Sequence, residues 1–155
     1  MFRQWIADCL TRTQSSLNFA TDVPKVALYG NTITPDENAT AALSAYNATS
    51  SQWLTAGEIY QAGQWAQGGV ALTGISGTVN FTGVPDAVWY DANNTSSGSA
   101  CTLANVYGDL VYDDTLTAPV ADQGVAFHYF GGSQSVTAGT FSVIWNAAGV
   151  WRMTV

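Results

Sequence analysis

Residues 110–155 read LVYDDTLTAPVADQGVAFHYFGGSQSVTAGTFSVIWNAAGVWRMTV, and they decide the fold. Three apolar runs, VAFHYF from Val125, TFSVIW from Thr140 and VWRMTV from Val150, are separated by GGSQSVTAG and NAAG. LVYDD precedes them across a break at Ala118-Pro119. Short runs rich in Val, Ile, Phe, Tyr and Trp between glycine-containing turns predict strands. Phe141, Val143 and Trp145 share one face of the second run, and Trp151, Met153 and Val155 share one face of the third. Thr140, Ser142, Arg152 and Thr154 fall opposite, with Ile144 and Val150 interrupting that polarity, so the spacing predicts a terminal hairpin with one core face and one partly covered face. The segment has almost no side chain capable of catalysis, and a sheet of this make-up is a scaffold or a surface before it is an active site.

The pattern recurs upstream. Leu17 and Phe19 alternate with Asn18 and Ala20, and after the turn signal Thr21-Asp22 the run VPKVALYG sets Val26 and Leu28 against Lys25, Ala27 and Tyr29. These two segments predict a hairpin. Gly68-Gly69 lead into VALTG, GTVNF places Val79 and Phe81 on one face, and AVWYDA follows Pro85. NNTSSGSA, 93–100, reads as a loop tip. Two segments have helical spacing. Phe2, Ile6, Cys9 and Leu10, with Trp5 beside them, give a short amphipathic helix over 2–12, whose apolar face docks either on the domain's own sheet or on a neighbouring subunit. Thr34-Pro35-Asp36-Glu37 has the form of a helix start with Thr34 as N-cap, and Ala39, Leu43 and Tyr46 share a face that ends near Asn47. The fold predicted is mostly β: a two-layer β-sandwich of about eight to ten short strands, with a short N-terminal helix and one helix after Pro35. Residues 1–14 form an N-terminal amphipathic helix or arm, and 15–155 a single β-sandwich domain.

Composition narrows the function. The chain has 155 residues, enough for one core, and 10% charged residues against the roughly 25% of an average protein. Thr, Ser, Asn, Gln, Ala and Gly stand in their place, and such a surface packs against another protein without desolvating many ions. Net charge is −7, and three of the four basic residues, Arg3, Arg12 and Lys25, lie near the start, with Arg152 the fourth. Nucleic-acid binding needs clustered cations, so it is not expected. No run approaches a membrane span, and MFRQWIADCLTR lacks the form of a secretory signal, which predicts folding in a cytosol.

Candidate chemistry is sparse. His128, the one histidine, lies in a strand with Ala126 and Phe130 on its face; as a base or ligand it needs partners supplied by the fold, and a structural role is the simpler expectation. Asp113, Asp114 and Asp122, beside Gln123 and Gly124, could offer oxygens to calcium, but no DxDxDG loop is present and turn residues explain them. There is no GxSxG elbow, GxGxxG run or phosphate-binding Lys. An assembled acidic pair such as Asp91 and Asp113 is the minor enzymatic possibility. Trp53, Trp65, Trp89 and Tyr90 are candidates for a sugar-binding face, though rings in a small β domain more often fill the core. Cys9 and Cys101 show no CxxC; burial as small apolar residues is favoured, with a single disulfide as the alternative.

VPKVALYGNTITPDENAT (23–40), then AYNA followed by Trp53, QAGQWAQGGVALTG (61–74), and VYGDLVYDDT with PVADQGVAFHYFGGSQSVTAGTFSVIWNAAGVWRMTV (106–155) together resemble small structural proteins from the virion-gene blocks of tailed bacteriophages, especially those of actinobacterial hosts. The likeness runs from about Leu17 to Val155. It implies a virion component without enzymatic activity or cofactor, folded in the bacterial cytoplasm: a capsid decoration or minor capsid protein on the outer surface of the major-capsid lattice, present in many copies. The major capsid protein and further copies of the chain are the partners implied, with no nucleic acid and no membrane. Arg3, Trp5 and Ile6 of the arm and Asn93 and Asn94 of the loop are the expected contact residues. The alternative is a tail or fibre module contacting host surface glycans.

Overall fold

The computed structural model describes residues 2–4, 21–80 and 87–154. The rest of the arm expected over 1–14, with Trp5, Ile6 and Cys9, lies outside these residues, as do Leu17 and Phe19 of the expected first hairpin, Phe81 and Val155. The elements are β1 (Pro24–Tyr29), α1 (Ala41–Ser44), a 3-10 turn (Thr55–Gly57), β2 (Val70–Ala71), β3 (Ser76–Asn80), β4 (Ala87–Asp91), β5 (Thr95–Ser96), β6 (Cys101–Asp113), β7 (Gly124–Gly139), β8 (Ser142–Val143) and β9 (Trp151–Thr154). The fold is mostly β, built of antiparallel sheets with few helices. One sheet has the order β2-β1-β6-β7, a second β3-β4-β9, and β5 and β8 form a two-stranded ladder.

β1 lies between β2 and β6, so both its edges carry partners. Val26, Ala27, Leu28 and Tyr29 are all buried, where alternation predicts one polar face. A short continuous apolar run is the mark of such an internal strand. Lys25 stays near the rim, its Nζ 2.8 Å from Asp114. Gly69 presses so closely on β1 that a Cβ there would overlap the Val26 carbonyl, and its φ of 78° suits glycine in any case. The loop bearing it is tied down by Glu58: the carboxylate accepts the N–H groups of Gly68 and Gly69 at 3.0 and 3.1 Å and the Tyr46 hydroxyl at 2.7 Å. Burial raises the Glu58 pKa above its usual value, and these donors pull against that shift.

β6 and β7 form the longest ladder. Val106, Leu110, Val111, Val125 and Ala126 bury their side chains in the core, joined by Phe2, Trp53, Trp65 and Tyr90. GGSQSVTAG, expected as a separator, continues β7 to Gly139 because β6 continues opposite it to Cys101. The ladder is interrupted midway. Tyr107 alone spans the gap in β6 that Phe130–Ser133 span in β7, and Gly131 and Gly132, at φ 78° and 155°, form this bulge. Below it lies a proximal half from Gly108 to Asp113; above it a distal half from Cys101 to Val106.

Two expected elements are corrected. The terminal hairpin does not form: β9 pairs with β4, and β8 pairs with β5, so the segments flanking Asn146–Gly149 part after a single bridge. The alternation itself is right for Phe141 and Val143, which are buried while Ile144 projects. Part of the expected loop tip is therefore strand β5, with Thr95 buried. The helix after Pro35 begins at Thr40 and lasts one turn, with Thr40 Oγ1 accepting the Leu43 N–H. Asp36 accepts the Asn38 N–H in a local turn, and Gln52 bonds both the N–H and the carbonyl of Thr34, which holds this backbone out of a helix. Leu43 is consequently exposed.

Candidate functional site

Asp109 and His128 are directly opposed in the proximal half of the β6–β7 ladder. The strands approach closely here: a Cβ on the neighbouring Gly108 would overlap the His128 carbonyl. Imidazole Nδ1 lies 2.7 Å from Asp109 Oδ1 and Nε2 lies 2.8 Å from the carbonyl oxygen of Val150. A carbonyl only accepts, so Nε2 carries a hydrogen, while Nδ1 shares a hydrogen bond with Asp109. Burial opposes a positive charge on the ring, but Asp109, its hydrogen bond and the Val150 carbonyl outweigh burial and raise the His128 pKa. The Trp145 ring meets the imidazole edge-on, with centroids 5.5 Å apart.

Asp109 is 1% exposed, and its Oδ2 has no hydrogen-bond partner among the described residues. Beside the pair is an open cleft of about 250 Å³ walled mainly by Tyr29, Ile33, Pro35, Trp53, Tyr107 and Tyr129. With both ring nitrogens engaged, His128 has no lone pair to offer a substrate or a metal. Its geometry makes it a bridge: one strand of the four-stranded sheet is fastened to Val150, which itself donates its N–H to Tyr90 of β4.

The acidic residues near the β6–β7 connection are held by the fold. Asp113 accepts the Thr115 N–H at 3.0 Å, and burial raises its pKa to about 6, with the negative charge of Asp22 adding to the shift. The carboxylate coupled to Asp113 is thus Asp22, while Asp91 accepts the N–H of Ala92. Among the described residues, no group of three or more His, Cys, Asp or Glu side chains is placed to hold a metal ion.

Of the expected contact residues, Trp5 and Ile6 lie outside the described residues, and Arg3, Asn93 and Asn94 have intramolecular partners. Arg3 pairs with Glu37 at the surface, following Phe2, which is fully buried against Trp53 and Phe127. Asn93 and Asn94 are exposed, yet Asn93 donates its N–H to Thr73 and accepts from the Trp145 indole, while Asn94 Oδ1 accepts the Trp145 N–H. Trp53, Trp65 and Tyr90 are buried, so these three rings offer a sugar no flat exposed surface. Cys101 is free and buried.

The Asp109–His128 pair is missed in the sequence, because Asp109 attracts no notice by itself and only the strand register reveals it. Setting LVYDD antiparallel to VAFHYF, with Leu110 opposite Phe127, brings the two residues together. Comparison of the chain with protein-family models, curated proteins and solved structures finds no match.

Proposed function

We propose that this chain is a structural protein of a tailed-bacteriophage virion, without enzymatic activity, that binds the outer surface of the major-capsid lattice as a decoration or minor capsid protein. The placement of charge carries the reading. Asp109, His128 and Glu58 are engaged inside the fold, whereas no residue between His128 and Arg152 is charged and much of that stretch is exposed. A neutral surface can be covered by a partner without stripping water from ions. Each copy then needs only a modest contact, since binding at many symmetry-related positions accumulates over the shell. Arg3, Asn93 and Asn94, all at the surface, together with Trp5 and Ile6, are the contact residues in this reading.

We further infer that the two larger sheets are the layers of a sandwich. Supporting this, Tyr90 of β4 and Val150 beside β9 belong to the same buried cluster as Val26, Leu110 and Ala126 of the four-stranded sheet, and His128 bonds across to Val150.

Localisation of the labelled protein in intact particles tests the function. Many copies spread over the head support it; a handful at one vertex or on the tail overturn it in favour of a tail module.

A further inference from the structure

β7 closes one side of the four-stranded sheet, and its outer edge has different neighbours along its length. In the proximal half, Phe2 donates its N–H to the Val125 carbonyl at 3.1 Å, and His128 reaches Val150. Beyond the Gly131-Gly132 bulge, no strand among the described residues pairs with the outer side of β7. Proteins ordinarily blunt such an edge with Lys, Pro or inward-pointing charge, because unpaired N–H and C=O groups are a template for another strand. Ser133–Gly139 contains none of these. Alongside lies a groove of about 500 Å³ between distal β7 and the segment through β8, with Phe130, Phe141, Val143 and Ile144 as its apolar wall. Ile144 is 74% exposed.

We propose that distal β7 and this groove are the contact surface for a second copy of the chain, with the two β7 edges antiparallel about a two-fold axis and the two grooves facing each other. Charge allows this occupant. Each copy carries a net charge of −7, so two copies repel in most orientations, yet every residue from Tyr129 to Trp151 is neutral. Two such acidic molecules can therefore meet through these surfaces without opposing ions. An antiparallel pair of identical strands is also self-complementary, as a two-fold contact requires. Pairing would satisfy the edge backbone groups and cover Phe130 and Ile144. An edge this short buries less than a standard interface of about 1,600 Å², so the dimer is a weak one.

The inference does not rest on the capsid reading: a dimer that ignores capsids would leave it standing, and a capsid-binding monomer would remove it alone. Sedimentation velocity of the full chain, from micromolar to near-millimolar concentration, is expected to show a monomer–dimer equilibrium. Ile144→Asp and Ile144→Lys should each weaken the dimer at least about tenfold, and an equimolar mixture of the two should restore it. A wild-type chain that stays monomeric, a dimer indifferent to both substitutions, or a mixture that remains monomeric would overturn the proposal. Should either variant lose its cooperative thermal transition, hydrogen exchange on the wild-type chain decides. Protection of Ser133–Thr137 that grows with concentration supports the pairing; concentration-dependent protection confined to other segments refutes it.

Discussion

The two halves of the β6–β7 hairpin share a buried β6 and differ along β7. In the proximal half, Leu110, Val111, Val125 and Ala126 are buried and the one histidine is bonded on both sides. In the distal half, Ser133, Gln134, Ser135 and Thr137 are exposed, and the cross-strand bonds include those from Asn105 N–H to Ser135 and from Ala138 N–H to Thr102. β6 stays in the core along both halves, with Cys101, Leu103 and Val106 buried in the distal one, whereas β7 is mostly exposed beyond the Gly131-Gly132 bulge. A long ladder is therefore no guide to where stability resides; burial and charge placement are.

Substitution of His128 by Leu should show the largest effect. It leaves Asp109 buried without its partner and unfastens Val150, for a loss of about 3–5 kcal/mol in chemical denaturation. Gly108→Ala forces a Cβ against the His128 carbonyl and should cost about 1–3 kcal/mol in the same measurement.

The pH dependence follows from raised pKa values, among them those of Asp113 and His128, with burial raising Glu58 and Asp122 in the same direction. Asp113, at about 6, keeps its proton in the folded chain where the unfolded carboxyl has already released it, and His128 does the same above the ordinary imidazole value. The folded state therefore binds more protons over both ranges, and stability falls as pH rises through them, by up to about 1.4 kcal/mol per pH unit for each full proton. The His128 contribution is complete below the unfolded pKa and is lost as pH rises through its folded value. Thermal melts from mildly acid to mildly alkaline buffer should show a falling midpoint. Asp113→Asn should flatten the lower part of that curve and His128→Gln the upper; a midpoint that climbs with pH would contradict both assignments. Smallest of all, Thr137→Ala in the distal half should change stability by no more than about 0.5 kcal/mol in dilute solution. A loss comparable to that of Gly108→Ala would erase the contrast between the halves.

Much of this was legible in the residues. VALYG, AVWYDA and VAFHYF are strands, and Val26, Leu28, Tyr29, Tyr90, Val125 and Ala126 among their residues fill the core, while Phe141 and Val143 point inward as alternation requires. What local pattern could not supply was pairing. NAAG between two apolar runs is a reasonable hairpin turn, but Trp151–Thr154 finds a longer partner in β4, more than sixty positions upstream. The polar, glycine-rich stretch after Phe130 is strand only because β6 extends beside it. Thr34 fails as a helix cap because Gln52, eighteen positions away, takes both of its backbone groups. His128 was visible as a residue without a role; its partner required the strands to be set in register, and Val150 required the whole fold.

The edge-on contact between His128 and Trp145 has an optical consequence. A protonated imidazole against an indole quenches its emission more strongly than a neutral one. The proton on His128 can thus be followed by fluorescence without a label: emission from Trp145 should brighten as the ring deprotonates, ahead of unfolding, and a Trp145→Phe variant should lose that early phase. The molecule contains its own indicator, placed on the bridge between its two larger sheets.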